Sequence, residues 1–306
     1  MNWEYYLTGL IEADGSIYVP KKKKCIQSLK NLYPCIQISF HAKDFPLITM
    51  IQRKLQGGSI SRIKGKRAYV LSISSNDLVF YLMFVLNGKM RTNKINQLYK
   101  LIDWYNRENP LKLEKELVFN GREKNKNDLG LGQINTVEKK GIDKSSFLEN
   151  AWLSGFIDGD GCFYLRCTEP KENNKYTSKF ECKFEISQSS QNLLSDLSSL
   201  QSRPNIIESI SLFLGSNPKQ VKQKTKFPQW RSRTVNVEQN RFLVEYLTKY
   251  PLQSSKYLDF MDWSKAVDIF LKKEHKTLQG KNNILSLKKN MNDSRKFYSW
   301  DHIIYF

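Results

Sequence analysis

Two nine-residue stretches carry acids at matched positions. The first is Leu7-Thr8-Gly9-Leu10-Ile11-Glu12-Ala13-Asp14-Gly15, and the second is Leu153-Ser154-Gly155-Phe156-Ile157-Asp158-Gly159-Asp160-Gly161. From Asp14 to Asp160 the offset is 146 residues, about half of the 306. Such a repeat predicts two similar domains in tandem, each bringing one carboxylate to a shared seam. Leu7, Leu10 and Ile11, like Leu153, Phe156 and Ile157, have helical spacing, and Gly15 and Gly161 are natural helix stops. Gly9 and Ala13, and Gly155 and Gly159, lie four apart on one face. Small residues at that spacing let two helix backbones approach closely, so the two helices are expected to pack on each other. Asp14 and Asp160 then fall at helix C-termini, where the macrodipole disfavours a carboxylate by roughly 0.3–1 kcal/mol. A compensating cation is required, and hard divalent ions held by carboxylates and backbone carbonyls fit that demand. Acids that merely cap a turn beside glycine would explain one copy, but two matched copies argue against it.

Both copies resemble the motif of the LAGLIDADG family, which comprises homing endonucleases and intron maturases. The resemblance implies that the eighth-position acids, Asp14 and Asp160, bind metal, together with the carbonyls of Ala13 and Gly159. It also implies that the sixth-position acids Glu12 and Asp158 are not ligands. The expected ion is Mg²⁺ or Mn²⁺. Glu12 departs mildly from the usual Asp, and Phe156 and Gly159 are common variants.

Composition agrees with a polyanionic partner. The formal net charge is +19, which favours nucleic acid. No apolar run approaches a membrane span, and no signal pattern is expected, since the first motif begins directly after Met1. Cys25, Cys35, Cys162, Cys167 and Cys182 lack zinc-type spacing and read as reduced thiols. His41, His275 and His302 are too scattered for a histidine metal cluster or a local Ser-His-Asp arrangement. Only five alanines occur beside abundant Lys, Asn, Ile, Phe and Tyr. That bias fits an AT-rich organellar coding sequence, placing the protein in a mitochondrion, with a chloroplast as the alternative.

The elements that must position the acids follow each motif. Strands are expected at about 16–20 and 33–41, helices at 44–55, 76–86 and 95–106, and a hairpin over Arg62-Ile63-Lys64-Gly65-Lys66-Arg67. The second half repeats the plan. The alternating run Lys179–Ile186 is a strand with one apolar and one charged face. Helices are expected at 191–200, 238–249 and 256–272, and Trp230–Val235 starts a strand. The fold class is therefore α+β: two pseudo-symmetric αββαββα domains, each an antiparallel saddle covered by helices, joined through paired motif helices. The expected divisions are 1–109, a polar linker at 110–147, 148–275, and a basic, partly helical tail at 276–306.

Lys21, Lys22, Lys23, Lys24, Arg62, Lys64, Lys66, Arg67, Lys179, Lys183, Arg231 and Arg233 fall on these strands or their turns. Each alone reads as an ordinary solvated charge. As a set they suggest a nucleic-acid saddle, since β-ribbons fit the DNA major groove and lysines hold phosphates. The segments Asn87–Lys94 and Tyr250–Lys256 both resemble the family's loop ending in a lysine before a helix. That resemblance assigns charge stabilisation or water orientation to Lys94 and Lys256. Phe40 to Asp44 and Phe184 to Gln188 share a spacing. By resemblance Asp44 and Gln188 orient water near the metals, and Asp44 also suits the N-cap of the next helix.

The resemblance implies a monomeric, site-specific double-strand DNA endonuclease that cuts across the minor groove of a long, non-palindromic target and leaves short 3′ overhangs. The alternative is a maturase that binds its own intron RNA and assists group I splicing. A nuclease-dead DNA-binding module is a third reading, against which intact Asp14 and Asp160 weigh.

Overall fold

The computed structural model describes residues 2–20, 33–108, 118–119, 122–123, 136–168, 179–189, 206–225 and 228–305. The chain runs α1 (Trp3–Asp14), β1 (Gly15–Tyr18), β2 (Cys35–His41), α2 (Phe45–Leu55), β3 (Ser59–Arg62), β4 (Ala68–Ile73), α3 (Asn76–Leu86) and α4 (Ile95–Glu108). A two-residue ladder, β5 (Val118–Phe119) with β6 (Arg122–Glu123), precedes the second motif. Then follow α5 (Trp152–Asp160), β7 (Gly161–Thr168), β8 (Lys179–Ser189), α6 (Ile206–Phe213), β9 (Lys219–Val221), β10 (Gln229–Arg233), α7 (Val237–Lys249), α8 (Lys256–Leu271) and α9 (Leu278–Lys289). Lys21–Lys24 and the helix expected at 191–200 lie outside the described residues.

The chain divides into two compact units. One contains residues 14–145, the other residues 1–13 with 146–306. The first carries an antiparallel sheet of order β1-β2-β4-β3, and the second a sheet of order β7-β8-β10-β9, which is the same topology met in the same chain order. In both, alternate residues point inward. Ile36, Ile38 and Phe40 of β2 are buried among Leu47, Ile48 and Ile51 of α2, while Ser39 and His41 are exposed. In the other unit Phe163 of β7 packs its ring against Phe184, Phe260 and Trp263 at 5.1–5.7 Å.

Local chemistry sets the element ends. Pro46 lies in the first turn of α2, where its missing N–H costs nothing, and Gln56 closes that helix in the left-handed conformation. Asn236 caps α7 by accepting from the Gln239 N–H. Gly65, with φ of +74°, makes the β3–β4 turn. Asp44 occupies the N-cap position of α2, but its side chain makes no capping hydrogen bond, contrary to expectation. Helix α6 was not anticipated. Its sequence Ile-Ile-Glu-Ser-Ile-Ser-Leu-Phe is rich in β-branched residues, yet burial of Ile207 and Ile210 against the sheet makes it helical.

Helices α1 and α5 meet inside one unit, as the small residues require. A Cβ placed on Gly9 would collide with the Trp152 carbonyl oxygen, and one on Gly155 with that of Tyr6. The two contacts exchange equivalent motif positions. So do two buried hydrogen bonds: Tyr6 donates its hydroxyl to Asp158 Oδ2 at 2.6 Å, and Trp152 donates Nε1 to Glu12 Oε2 at 2.7 Å.

Gly9→Ala and Gly155→Ala should each destabilise the protein by about 1–3 kcal/mol or more, because the obstructing atom is backbone. Gly141→Ala meets open space and should stay within about 0.5 kcal/mol of the parent. Equal urea midpoints for all three variants would mean that the helices do not touch through this face. Tyr6→Phe leaves a buried carboxylate short of a donor and should cost about 1–3 kcal/mol; an unchanged midpoint would show the cross-helix bond to be idle.

Candidate active site

Each motif helix runs directly into the first strand of its sheet, so that its last acid sits at the junction. Asp14 is exposed and Asp160 is half-buried. The Gln188 side-chain amide donates to Asp160 Oδ2, placing these two predicted residues together. Lys256 reaches back to the same helix end, where its Nζ donates to the carbonyl oxygens of Gly159 at 2.5 Å and Ile157 at 3.2 Å. A cation at the carbonyls of the last helical turn, of which Ile157 also accepts the Gly161 N–H, offsets the negative end of the helix dipole. In the other unit Lys94 Nζ donates to the Gly15 carbonyl at 2.7 Å. Both sequence-predicted lysines therefore lie at helix–strand junctions.

The sequence reading missed what holds the lysines. The Lys256 N–H donates to Ser254 Oγ, and the Lys94 N–H to Thr92 Oγ1. A hydroxyl two residues before each lysine was the available signal. Ser254 Oγ in turn donates to Asp158 Oδ1 at 2.5 Å, and the Gln253 N–H donates to Asp158 Oδ2 at 2.7 Å. Asp158 thus links the helix pair to the lysine loop. Burial pushes its carboxyl above the usual carboxylate range, opposed by the Gln253 N–H, the Ser254 and Tyr6 hydroxyls and the Lys256 charge.

Asp44 does not take the place matching Gln188. Gly15 pairs with Ile38 and Gly161 with Ile186, so the register makes Phe40 the equivalent of Gln188. Equal spacing from Phe40 and Phe184 suggested otherwise. Those phenylalanines are not equivalent: Gln188 is still within β8, whereas Asp44 lies beyond β2 in a 3₁₀ turn.

The basic residues separate into two kinds. Arg62, Lys64, Lys66 and Arg67 are exposed around the β3–β4 turn. Arg62 shares the inward parity of Ile60, so it does not lie on the open face of its sheet. That face instead carries Ser16, Tyr18, Cys35, Gln37, Ser39, His41, Ser59, Ser61, Ala68, Val70 and Ser72. On the second sheet Lys179 and Lys183 both pair with Glu181, at 3.2 and 2.8 Å. Arg231 and Arg233 both pair with Glu185, at 3.4 and 2.7 Å. The bond from Lys183 holds the Glu181 carboxyl below its ordinary range, aided by Lys179. Partly exposed pairs of this kind are weak, so the cations stay available to an outside anion.

The donors at the helix ends are carboxylates and backbone carbonyls, the oxygen chemistry that a hard divalent ion takes. Among the described residues no group of three or more His, Cys, Asp or Glu side chains gathers at these ends or anywhere else. Among the same residues no helix is long and apolar enough to cross a membrane.

Similarity to known proteins agrees with this arrangement. The chain is 26% identical over 313 residues to the intron-encoded DNA endonuclease aI3 of Saccharomyces cerevisiae, covering 97% of this chain and 71% of the relative. It is 24% identical over 297 residues to the probable intron-encoded endonuclease 4 of Neurospora crassa, covering 95% of this chain but 45% of that protein. In fold it matches the crystal structure of the meganuclease I-SmaMI bound to uncleaveable DNA. The TM-score is 0.65 at 21% identity, over 96% of this chain and 98% of the other. The LAGLIDADG endonuclease family profile matches residues 7–105 and 153–267, well over half of the sequence and including both acid-ended helices with their lysine loops: the chain belongs to the LAGLIDADG endonuclease family.

Proposed function

We propose that the protein is a site-specific double-strand DNA endonuclease of the homing type, acting as a monomer with one hydrolytic centre per half. The observation that carries this reading is the repeated junction. In each half an acid ends the motif helix, and a lysine from a later loop is fixed to carbonyl oxygens beside it. The intron-encoded relatives and the AT-biased composition support an origin in an organellar intron and action in the mitochondrion.

Asp14 and Asp160, with the carbonyls of Ala13 and Gly159, would hold Mg²⁺ or Mn²⁺. The ion, when bound, supplies an acidified water and charge relief at the leaving oxygen. Lys94 and Lys256 would stabilise charge developing on the phosphate and restrict where the attacking water sits. Gln188 would fix the orientation of the Asp160 carboxylate. Outside the junctions, Lys179, Lys183, Arg231 and Arg233, with Arg62, Lys64, Lys66, Arg67 and the lysines at 21–24, would meet phosphates and base edges. Antiparallel ribbons suit a B-form major groove about 12 Å wide, whereas the A-form RNA major groove is too deep and narrow for side-chain reading. That geometry favours DNA over intron RNA as the partner.

The test is selection of cleaved duplexes from a randomised DNA library in Mg²⁺, beside a splicing assay on the encoding intron. EDTA should abolish cutting and leave binding nearly intact, since binding rests on cations that a chelator does not touch. Full cleavage in EDTA would refute a metal-dependent mechanism. Asp14→Asn and Asp160→Asn should each block or strongly slow double-strand breaks while keeping or raising stability by about 0.3–1 kcal/mol, as a carboxylate leaves a helix C-terminus. A variant cutting both strands at the parental rate would remove its acid from the assignment.

A further inference from the structure

Two segments lying outside both sheets and both motifs return to the lysine loops. In the unit of residues 14–145, the stretch 136–145 runs back along α3 and α4. Asn106 bonds the Val137 backbone in both directions at 2.9 and 3.0 Å. The Asn87 side chain donates to the Glu138 carbonyl and accepts from the Lys140 N–H. The stretch ends in a buried ion pair, Arg91 with Asp143 at 2.8 Å, whose side chains are 6% and 8% exposed. Arg91 also donates to the Ser145 carbonyl and hydroxyl, and the Asp143 N–H to the Met90 carbonyl. Arg91 precedes Lys94 by three residues.

In the other unit the segment after α9 does the same. Arg295 donates to Asp259 at 2.9 Å and to Asp262 at 2.6 Å, anchoring the segment on α8. Beyond it His302, 6% exposed, stacks on the Tyr257 ring at 4.2 Å and 14°. Its Nε2 donates to the Gln253 carbonyl at 3.2 Å. Gln253 precedes Lys256 by three residues, and Tyr257 follows it by one.

These contacts are poor devices for stability alone. Burying an ion pair or an imidazole against loop backbone has a desolvation cost that apolar packing avoids, and such groups fix geometry instead. Both act at the same step of the chain, three residues before the lysine. We propose that the Arg91–Asp143 pair and His302 are positioning residues, each setting the lysine of its own unit and so the rate at which one DNA strand is cut. The inference rests on the nuclease reading and extends it to two exit segments that the motif does not include.

The experiment uses the full chain and a duplex recovered by parental cleavage from a randomised library, with each strand labelled separately. Single-turnover rates are read strand by strand. A displacement near 1 Å can cost about 10²-fold, so His302→Ala should slow one strand by roughly 10- to 100-fold, leave the other near the parental rate, and accumulate nicked duplex. Asp143→Ala should slow the opposite strand. DNA affinity measured in EDTA should stay unchanged, because the loss falls on the chemical step and not on binding. His302→Gln, which keeps a donor, and Asp143→Glu, which keeps the charge, should recover part of each rate, and they carry the same comparison if an alanine variant does not fold. Equal slowing of both strands by either variant, or slowing of the same strand by both, overturns the proposal while leaving the nuclease reading intact. A parental enzyme that cuts no duplex in Mg²⁺ or Mn²⁺ removes the nuclease reading and this inference with it.

Discussion

Helices α1 and α5 meet with no side chain between the Gly9 position and the Trp152 carbonyl, or between Gly155 and the Tyr6 carbonyl. At that separation the rotation of each helix is fixed, because any turn about its axis would drive a larger residue into backbone. The sixth-position acids are thereby buried, Glu12 at 2% and Asp158 at 6% exposure. A buried carboxylate needs donors. Trp152 and Tyr6 supply them from across the interface, and Asp158 takes three more from Gln253 and Ser254. The same rotation leaves the eighth-position acids at the helix ends, where Asp14 and Asp160 keep contact with solvent. Buried and solvent-facing acids are sorted by two residues of helix.

Charge is arranged on the same principle of local balance. The end of α5 carries both a carboxylate and carbonyls that accept the Lys256 ammonium. On the second sheet two glutamates gather five cations, Arg166, Lys179 and Lys183 at Glu181 and Arg231 and Arg233 at Glu185. The large positive excess of the chain is thus partly organised before any polyanion arrives. This lowers the ordering cost of a later contact, while phosphate binding retains its dependence on salt. The first sheet offers mostly hydroxyls on its open face, with Gln37 and His41 and no lysine or arginine among the paired residues of that face, so the two sheets present different surfaces from one topology.

Much of this was legible in the sequence, and the gaps have physical causes. The motif copies give the paired helices because glycine spacing and acid position are short-range signals. The apolar periods give α3, α4, α7 and α8 nearly to the residue. Alternation in β2 and β8 shows which face is buried, but it carries no information on register. That is why equal spacing from Phe40 and Phe184 matches Asp44 to Gln188, whereas strand pairing equates Gln188 with Phe40. Helix α6 was hidden because local propensity and tertiary burial disagree there. The polar stretch before the second motif read as a connector, yet residues 136–145 are bonded along their length to α3, α4 and the loop between them. Contacts made by single side chains some fifty residues away leave no periodic trace.

The reciprocal bonds across the helix pair differ in one respect: Tyr6 meets the shorter Asp158, and Trp152 meets the longer Glu12. Two first-half helices set against each other would instead join tyrosine to glutamate, and two second-half helices tryptophan to aspartate. Each misjoined pair would have one methylene too many or too few for the reach of its donor. Donor reach and acid length are therefore matched across the pair, and the match holds only when a first-half helix meets a second-half one. Recombining halves from different relatives would have to respect that match before any question of DNA target arose.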